Sequence, residues 1–304
     1  MLISLAHAKR SDRRMKAATS LTVAEFEALA VQFARLWEKE LSAHTVEGAP
    51  RTRQAGGGRK GVLGTAPLKL FFILLYYKAY PTQDLMGLLF GITQGQVSDW
   101  VGRLTAQVSR LMPLHKPARR TRDLKELLTR EPALNEVLID GTERRVPRPV
   151  HRGRQRRYYS GRKKRHAVKN VIVTAKGKVR WCSPTVPGRR HDKAVAEQER
   201  LRLPKGVTVL ADSGFAGLET GAADLITPWK KPKGRRLHWK RRAFNRLLGR
   251  ERVKIEHTLA SVKRLRILRD EFRNRRKGMV DEVMVIGCAL HNYRWSWRQE
   301  RLAA

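Results

Sequence analysis

Two short segments of this 304-residue chain end alike: Val137-Leu138-Ile139-Asp140-Gly141-Thr142 and Val209-Leu210-Ala211-Asp212-Ser213-Gly214. Each sets an aspartate directly after three apolar residues. Strand interiors disfavour Asp, and a buried carboxylate is costly unless it is paired or metal-bound. The pattern therefore predicts two β-strands whose ends aim Asp140 and Asp212 into a shared cleft. Either one alone reads first as an Asx-turn closing a strand. Two matched instances favour a joint role.

The sequence around them alternates strands and helices. Strands are expected at 136–140, 167–175, 179–183 and 207–212, with Lys176-Gly177-Lys178 as the tight turn of a hairpin. Helices are expected at 191–200, from 236 to about 269 with a weak point at Gly249, and at 280–297, ending in a Trp-rich segment. The fold class is α/β, in a catalytic region spanning 117–304.

Residues 1–116 read instead as all-helical. Thr22-Val23-Ala24-Glu25 is a capping-box pattern, followed by Phe26, Leu29, Ala30, Phe33 and Leu36 at helical spacing. Residues 47–66 are rich in Gly, Arg and Thr and read as a loop, or as a turn that touches phosphate. Leu68–Tyr77 is a buried helix, too short for a membrane span. A short helix over 82–89, broken by Phe90-Gly91-Ile92, leads into a second one from near Thr93. That second helix carries Val97, Trp100, Val101 and Leu104 on one side. The pattern is a helix-turn-helix within about 67–112, whose open face would present Gln94, Gln96, Ser98 and Arg103 to base edges and phosphates. An ordinary helical hairpin has the same signature. The boundary between the two regions is placed at Pro113–Pro117, where proline interrupts helix.

Charge narrows the partner. The chain has 65 Lys+Arg against 27 Asp+Glu, a net charge of +38. Residues 1–116 hold 16 basic and 8 acidic residues, and 117–304 hold 49 and 19. Such an excess destabilises a compact chain unless a polyanion lies against it, and nucleic acid is the expected partner. Residues 144–165 contain 11 Lys+Arg and no acid, and 228–254 contain 12 with the single acid Glu251. These blocks are expected to wall a groove for DNA. Tyr158, Tyr159, Trp229 and Trp239 are interleaved with them and are candidates for stacking on unpaired bases. Cys182 and Cys288 are too few for a disulfide framework or a zinc site. The apolar opening of the chain is too short for a signal-peptide core. A cytoplasmic, nucleoid-associated protein with no membrane and no small-molecule substrate is expected.

A third acid, Glu256, lies on the long helix. At about 100° per residue, Arg252, Glu256 and Lys263 fall within about 60° of one another. On its own, Glu256 reads as a salt-bridge partner among many bases. Two aspartates and a glutamate on adjoining elements suit paired Mg²⁺ ions, which favour oxygen ligands and are completed by substrate phosphate.

At these residues the sequence resembles bacterial insertion-sequence transposases of the DDE type, in the Harbinger-related branch of the insertion-sequence-five family with an N-terminal helix-turn-helix. The resemblance runs from about Pro67 to Trp295. It rests on YPTQDLMGLLFGITQGQVSDWV, LIDGTERRVPRP, YYSGRKKRHAVKN, PGRRHDKAV, LADSGF and IEHTLASVKRLRIL. It implies a ribonuclease H-like core, a mixed sheet flanked by helices, with Asp140, Asp212 and Glu256 as catalytic metal ligands. It also implies two Mg²⁺ ions, with Mn²⁺ as a substitute. Arg252 and Lys263 match the basic positions around the glutamate, while Gly249 stands where a related group carries Tyr. Arg162, Lys163, Lys164 and Arg165 are expected to bind phosphate or the DNA end. The implied partners are terminal inverted repeats and target DNA, bound by a homodimer that helices 22–40 or 280–297 would support. Glu143 is expected on the other side of its strand and Asp192 at a helix start; His191 and His257 are minor candidates.

Three readings compete with an active transposase. One is a catalytically silent, domesticated relative acting as a DNA-binding regulator. Another is a recombinase using Tyr158 or Tyr159 as nucleophile. The last is a basic RNA-binding scaffold, which would have no need of matched strand-end carboxylates.

Overall fold

A computed structural model describes residues 2–45, 49–52, 61–221 and 223–303. The loop expected over 47–66 lies partly outside the described residues.

The N-terminal region is helical: α1 (Leu5–Lys9), α2 (Asp12–Thr19), α3 (Val23–Ala43), α4 (Ala66–Ala79), α5 (Gln83–Phe90) and α6 (Gln94–Leu111). The capping box at α3 is present: Thr22 Oγ1 accepts from the Glu25 amide at 3.1 Å, and Glu25 Oε2 accepts from the Thr22 amide at 2.7 Å. The buried stripe of α3 runs Phe26, Leu29, Ala30, Phe33 and Trp37, leaving Leu36 half-buried. Helix α4 is buried from Lys69 to Tyr77, as its unbroken apolar run requires. Helices α5 and α6 form the helix-turn-helix. Thr82 and Thr93 cap their starts, and Gly91 closes α5 at φ 69°, a left-handed conformation that glycine adopts without steric cost.

After a 3₁₀ turn at Pro113–His115 come α7 (Thr121–Arg130), β1 (Glu136–Arg145), α8 (Arg152–Tyr158), β2 (Tyr159–Ser160), β3 (Arg165–Ala175), β4 (Lys178–Cys182), β5 (Val186–Pro187), α9 (Asp192–Gln198), β6 (Thr208–Ala211) and β7 (Asp224–Ile226). The chain ends in α10 (Trp239–Val262), α11 (Arg266–Arg269) and α12 (Met279–Ala303). The sheet order is β2-β3-β1-β6-β7, with β4 and β5 also paired to β3. The β4–β3–β1 part is antiparallel, and β1, β6 and β7 are parallel. This mixed sheet flanked by helices is the expected ribonuclease H-like α/β core.

Strand alternation gives the sheet two apolar faces. Val137, Ile139, Val171, Val173 and Val209 pack with Leu124 and Leu128 of α7 and Val195 of α9. Leu138, Ile172, Val179 and Leu210 join a second core containing α10, α11, α12 and the N-terminal helices. The helix-turn-helix region and the sheet therefore share one continuous apolar core. Cys182 and Cys288 lie in it as buried free thiols.

The single helix expected over 236–269 is two. Helix α10 ends at Val262, and Lys263–Leu265 form a break before α11. Leu265, Ile267 and Leu268 are all fully buried, at spacings one straight helix cannot hold on a single face, so the chain turns to bury them. Among the described residues no helix is long and apolar enough to cross a membrane.

Helix α12 is stitched to the β3–β4 hairpin by two adjacent side chains. His291 Nε2 donates to the Gly177 carbonyl at 2.8 Å, and its Nδ1 accepts from Ser261 Oγ at 2.9 Å. Asn292 Oδ1 accepts from the Val179 amide, and its Nδ2 donates to the Val179 and His115 carbonyls, each at 2.8 Å. Burial pulls the His291 pKa down to about 4 from 6.5. The unfolded chain therefore takes up this proton first as pH falls. Stability is expected to drop by about 3 kcal/mol between pH 6.5 and 4. Denaturant titrations across that range check it: His291→Gln should flatten the slope, and a wild-type slope in that variant would contradict the assignment.

Candidate active site

The parallel register of β1 and β6 pairs Ile139 with Ala211, so Asp140 and Asp212 are the next residues on neighbouring segments. Asp212 follows the end of β6, but Asp140 is not the strand end expected, because pairing with β3 carries β1 on to Arg145. Asp140 Oδ1 accepts from the Gly141 amide at 2.8 Å. Asp212 caps the 3₁₀ turn Ser213–Phe215, its Oδ1 accepting from the Gly214 amide at 2.8 Å. The Asx-turn reading of Asp212 thus holds, and it fixes the orientation of the carboxylate. Burial pushes the Asp140 pKa up to about 6; the Asp212 and Asp192 charges add to this, and the Gly141 amide and Arg252 oppose it. A half-buried acid whose charge is raised in cost by a neighbouring acid is donor chemistry suited to a divalent cation.

Helix α10 lies over β1 and β6. Its Arg252 acts on Asp140, and Lys263 Nζ donates to the Glu143 carbonyl at 3.3 Å. Burial, with Arg144 and Arg165 nearby, pulls the Lys263 pKa below its usual value, while Asp140 and Glu143 pull it back. Ile255, Leu259 and Val262 occupy the buried side of α10 and leave Glu256 exposed beside them. Among the described residues no three His, Cys, Asp or Glu side chains stand close enough to hold one ion.

On the opposite face a cleft of about 880 Å³ opens against Asp212. Glu143 and Asp192 line it with Lys169, and Arg148, Arg156, Arg162, Arg189 and Arg190 surround them. Lys169 is 6% exposed, and its ammonium lies 3.1 Å from Asp192 Oδ1 and 3.4 Å from Glu143 Oε1. It also donates to the Arg190 carbonyl at 2.7 Å. Ser160 Oγ donates to Glu143 Oε1 at 3.1 Å. Gly141 makes room for this cluster, since a Cβ there would sit 2.3 Å from Asp192 Oδ1. Asp192 opens α9 as expected, yet its carboxylate serves Lys169 rather than a helix cap. The missed signal is a lysine inside AVKNVIVTA: a charge in so apolar a strand needs acidic partners.

The basic block 144–165 divides. Arg162, Lys163, Lys164 and Arg165 are exposed at the turn between β2 and β3, and Arg162 lines the cleft. Arg144, expected in the groove wall, is 1% exposed and lies inside the protein. Its place on β1 puts it on the face covered by α12, where it donates to the Val280 carbonyl. Tyr159 borders the cleft with its ring edge-on to His166, and Tyr158 is half-buried. Trp229 and Trp239 are exposed, with Arg241 over Trp229 at 4.2 Å and Lys240 over Trp239 at 5.7 Å. His191 lines the cleft and His257 lies exposed on α10.

In the helix-turn-helix the four named side chains part to two edges of α6. Gln94 bonds to Gln83, and both Gln94 and Ser98 border a groove on one side. Gln96 Oε1 accepts from the Thr93 amide at 3.0 Å in a second capping box. The Arg103 guanidinium lies over the Trp37 ring at 4.8 Å and the Trp100 ring at 5.8 Å, packed against the helical core.

A helix-turn-helix joined to a ribonuclease H-like core, with Asp140 on β1, Asp212 directly after the adjacent β6 and a basic cleft opening against Asp212, defines a nucleic-acid-processing class. Residues 139–292 match the DDE superfamily endonuclease model, and residues 65–105 match the helix-turn-helix of DDE superfamily endonuclease. The chain belongs to the DDE superfamily endonucleases. It is 27% identical over 210 residues to the "Probable transposase for insertion sequence element IS702" of Microchaete diplosiphon, covering 69% of this chain and 74% of that relative. No solved structure matches. Members of the superfamily generally use divalent metal ions.

Proposed function

We propose that the protein is a transposase that binds the terminal inverted repeats of an insertion sequence, cuts the phosphodiester at each end, and joins the freed ends to target DNA. The observation that carries this is the Asp140–Asp212 pair, Asp140 within β1 and Asp212 just past the end of the parallel β6, with arginines rimming the cleft against Asp212. Water attacks the phosphorus at the element's end, and the bond to the 3′ oxygen breaks, leaving a 3′-OH and a 5′-phosphate. The 3′-OH then attacks a target phosphodiester in the same way. No covalent protein–DNA link is needed.

Asp140 and Asp212 would hold Mg²⁺, or Mn²⁺ in its place; the resemblance assigns two ions and adds Glu256 as the third ligand. When bound, such ions stabilise the attacking and leaving oxygens of an in-line displacement. Arg252 and Lys263 hold the scissile phosphate against the pair. Arg162, Lys163, Lys164 and Arg165 grip the DNA end. The helix-turn-helix reads the repeat, with Gln94, Gln96, Ser98 and Arg103 as the assigned contacts and the Gln94–Ser98 edge as the open one. Regions 1–116 and 117–304 act as binding and catalytic units. The protein works as a homodimer on two ends, on the bacterial nucleoid in the cytoplasm.

The test is incubation of the purified chain with a duplex from the DNA flanking its reading frame. Nicking that requires Mg²⁺ and stops with chelator is expected. Glu256→Gln should cut at least about 100-fold more slowly. Tight binding without cutting would make the chain a silent DNA-binding regulator, and a trapped covalent adduct would favour a tyrosine nucleophile.

A further inference from the structure

The segment between α11 and α12, residues 270–278, reads Asp-Glu-Phe-Arg-Asn-Arg-Arg-Lys-Gly. It lies far from the helix-turn-helix in sequence, yet it borders α6. A groove of about 420 Å³ is lined on one side by Thr82, Gln94, Ser98 and Gly102, and on the other by Arg273, Arg275 and Arg276. Gln94, Ser98 and Gly102 are spaced by four and form one edge of α6. Arg276 lies flat on that edge: a Cβ at Gly102 would overlap its guanidinium.

The segment is bolted in place by its first residues. Phe272 is buried, and its amide donates to the Arg145 carbonyl at 2.9 Å. The Arg273 amide donates to Tyr80 Oη at 2.6 Å, and its guanidinium covers the Tyr80 ring at 4.2 Å. Asn274 Nδ2 donates to Tyr76 Oη at 3.1 Å. The next residues are free of such duty. Arg275, Arg276 and Lys277 are exposed, and among the described residues none of them is in an ion pair. Asp84 is the acid on the groove, against three arginines. A rigid base that ends in exposed, unpaired cations is costly in self-repulsion and is preorganised for an anion.

We infer that Arg275, Arg276 and Lys277 form, with the Gln94–Ser98 edge of α6, one composite surface for duplex DNA. The inference rests on the helix-turn-helix binding the element's ends. In it, α6 reads base edges while the 275–277 cations clamp the adjoining phosphates, so register on the repeat is set by both ends of the chain together. The opposite edge of α6, where Arg103 is packed on Trp37, takes no part.

Three full-length proteins test this: Arg275→Gln/Arg276→Gln, Gln94→Ala/Ser98→Ala, and the exposed α7 control Lys125→Gln/Arg130→Gln. Binding to a labelled duplex from the DNA flanking the reading frame is measured against salt, with a single-stranded RNA competitor. The first variant is expected to bind roughly tenfold more weakly at 0.15 M salt, with its log–log salt slope lower by about two, and to melt like wild type. The control should keep wild-type affinity and slope. If the arginine variant keeps wild-type affinity and slope while the Gln94/Ser98 variant is weakened, the composite surface is wrong and the helix-turn-helix reading stands. If neither variant is weakened, both are wrong. RNA that displaces the duplex at equal concentration also overturns the inference.

Discussion

Asp140→Asn is expected to cut transposon-end DNA at least about 10³-fold more slowly than wild type, roughly 4 kcal/mol in activation free energy. Asp212→Asn should lose a similar amount, because the two carboxylates act as a pair across adjacent strands. The Asp140 variant should also be more stable than wild type when the protein is free of metal. Burial raises the Asp140 pKa from 3.8 to about 6, so the folded state holds its proton more tightly than the unfolded chain does. Stability from this group is present below pH 4 and is lost as pH rises through about 6. Asn keeps the shape and removes the charge. Its gain, on the order of 2 to 3 kcal/mol, should appear at pH 8 and vanish at pH 4. Single-turnover cleavage and chelated thermal unfolding read the two effects separately. Unchanged cleavage would remove Asp140 from the chemistry.

Arg144→Ala is expected to be the most destabilising substitution at a basic position. Its Nη1 donates to the Val280 carbonyl at 2.5 Å, and its Nη2 to Asn170 Oδ1 at 2.6 Å and Thr185 Oγ1 at 3.1 Å. Thr185 in turn donates to Asp281 from both its amide, at 2.8 Å, and its hydroxyl, at 2.7 Å. Arg119 completes the network, 2.6 Å from Asp281 Oδ2 and bonded to the Cys182 and Ser183 carbonyls. These bonds tie the first turn of α12 to β1 and β3. Burial lowers the Arg144 pKa to about 10, so it remains charged at neutral pH. Truncation leaves several buried acceptors unsatisfied around a cavity and should cost roughly 3–5 kcal/mol. Arg144→Met fills the space and should cost less. Equilibrium denaturation checks the order, and a loss below about 1 kcal/mol in the alanine variant would show that the network carries little of the fold.

Much of this was readable before folding, where a local rule leaves one outcome. Asp140 and Asp212 stood out because acids do not belong in apolar strands. The α3 capping box and the Lys176-Gly177 turn stood out because their residues do one thing locally. What could not be read depends on which elements meet. That β6 lies beside β1, and so sets Asp212 beside Asp140, is a matter of sheet order. Asp192 looked like a helix opener because Lys169 and Gly141, which give it its place, are distant in sequence. Arg144 and Arg103 were counted as exposed cations because charge type says nothing of a buried acceptor or an aromatic floor. The α10 break followed from tertiary burial of Leu265 and Ile267, which overrode helix periodicity. Glu256 was set with the aspartates by the resemblance and not by any local rule, since spacing along α10 relates it only to Arg252 and Lys263, and the packing of Ile255 and Leu259 leaves it exposed.

The central claim is that Asp140 and Asp212 together hold a divalent cation against DNA. Mn²⁺ titrated into the full-length protein bound to an end duplex, followed by the loss of free-ion paramagnetic resonance signal, tests it most directly. Saturable binding by wild type, lost in both Asp140→Asn and Asp212→Asn and retained in the Lys125→Gln/Arg130→Gln control, is the predicted result. Equal binding by all four proteins would contradict it.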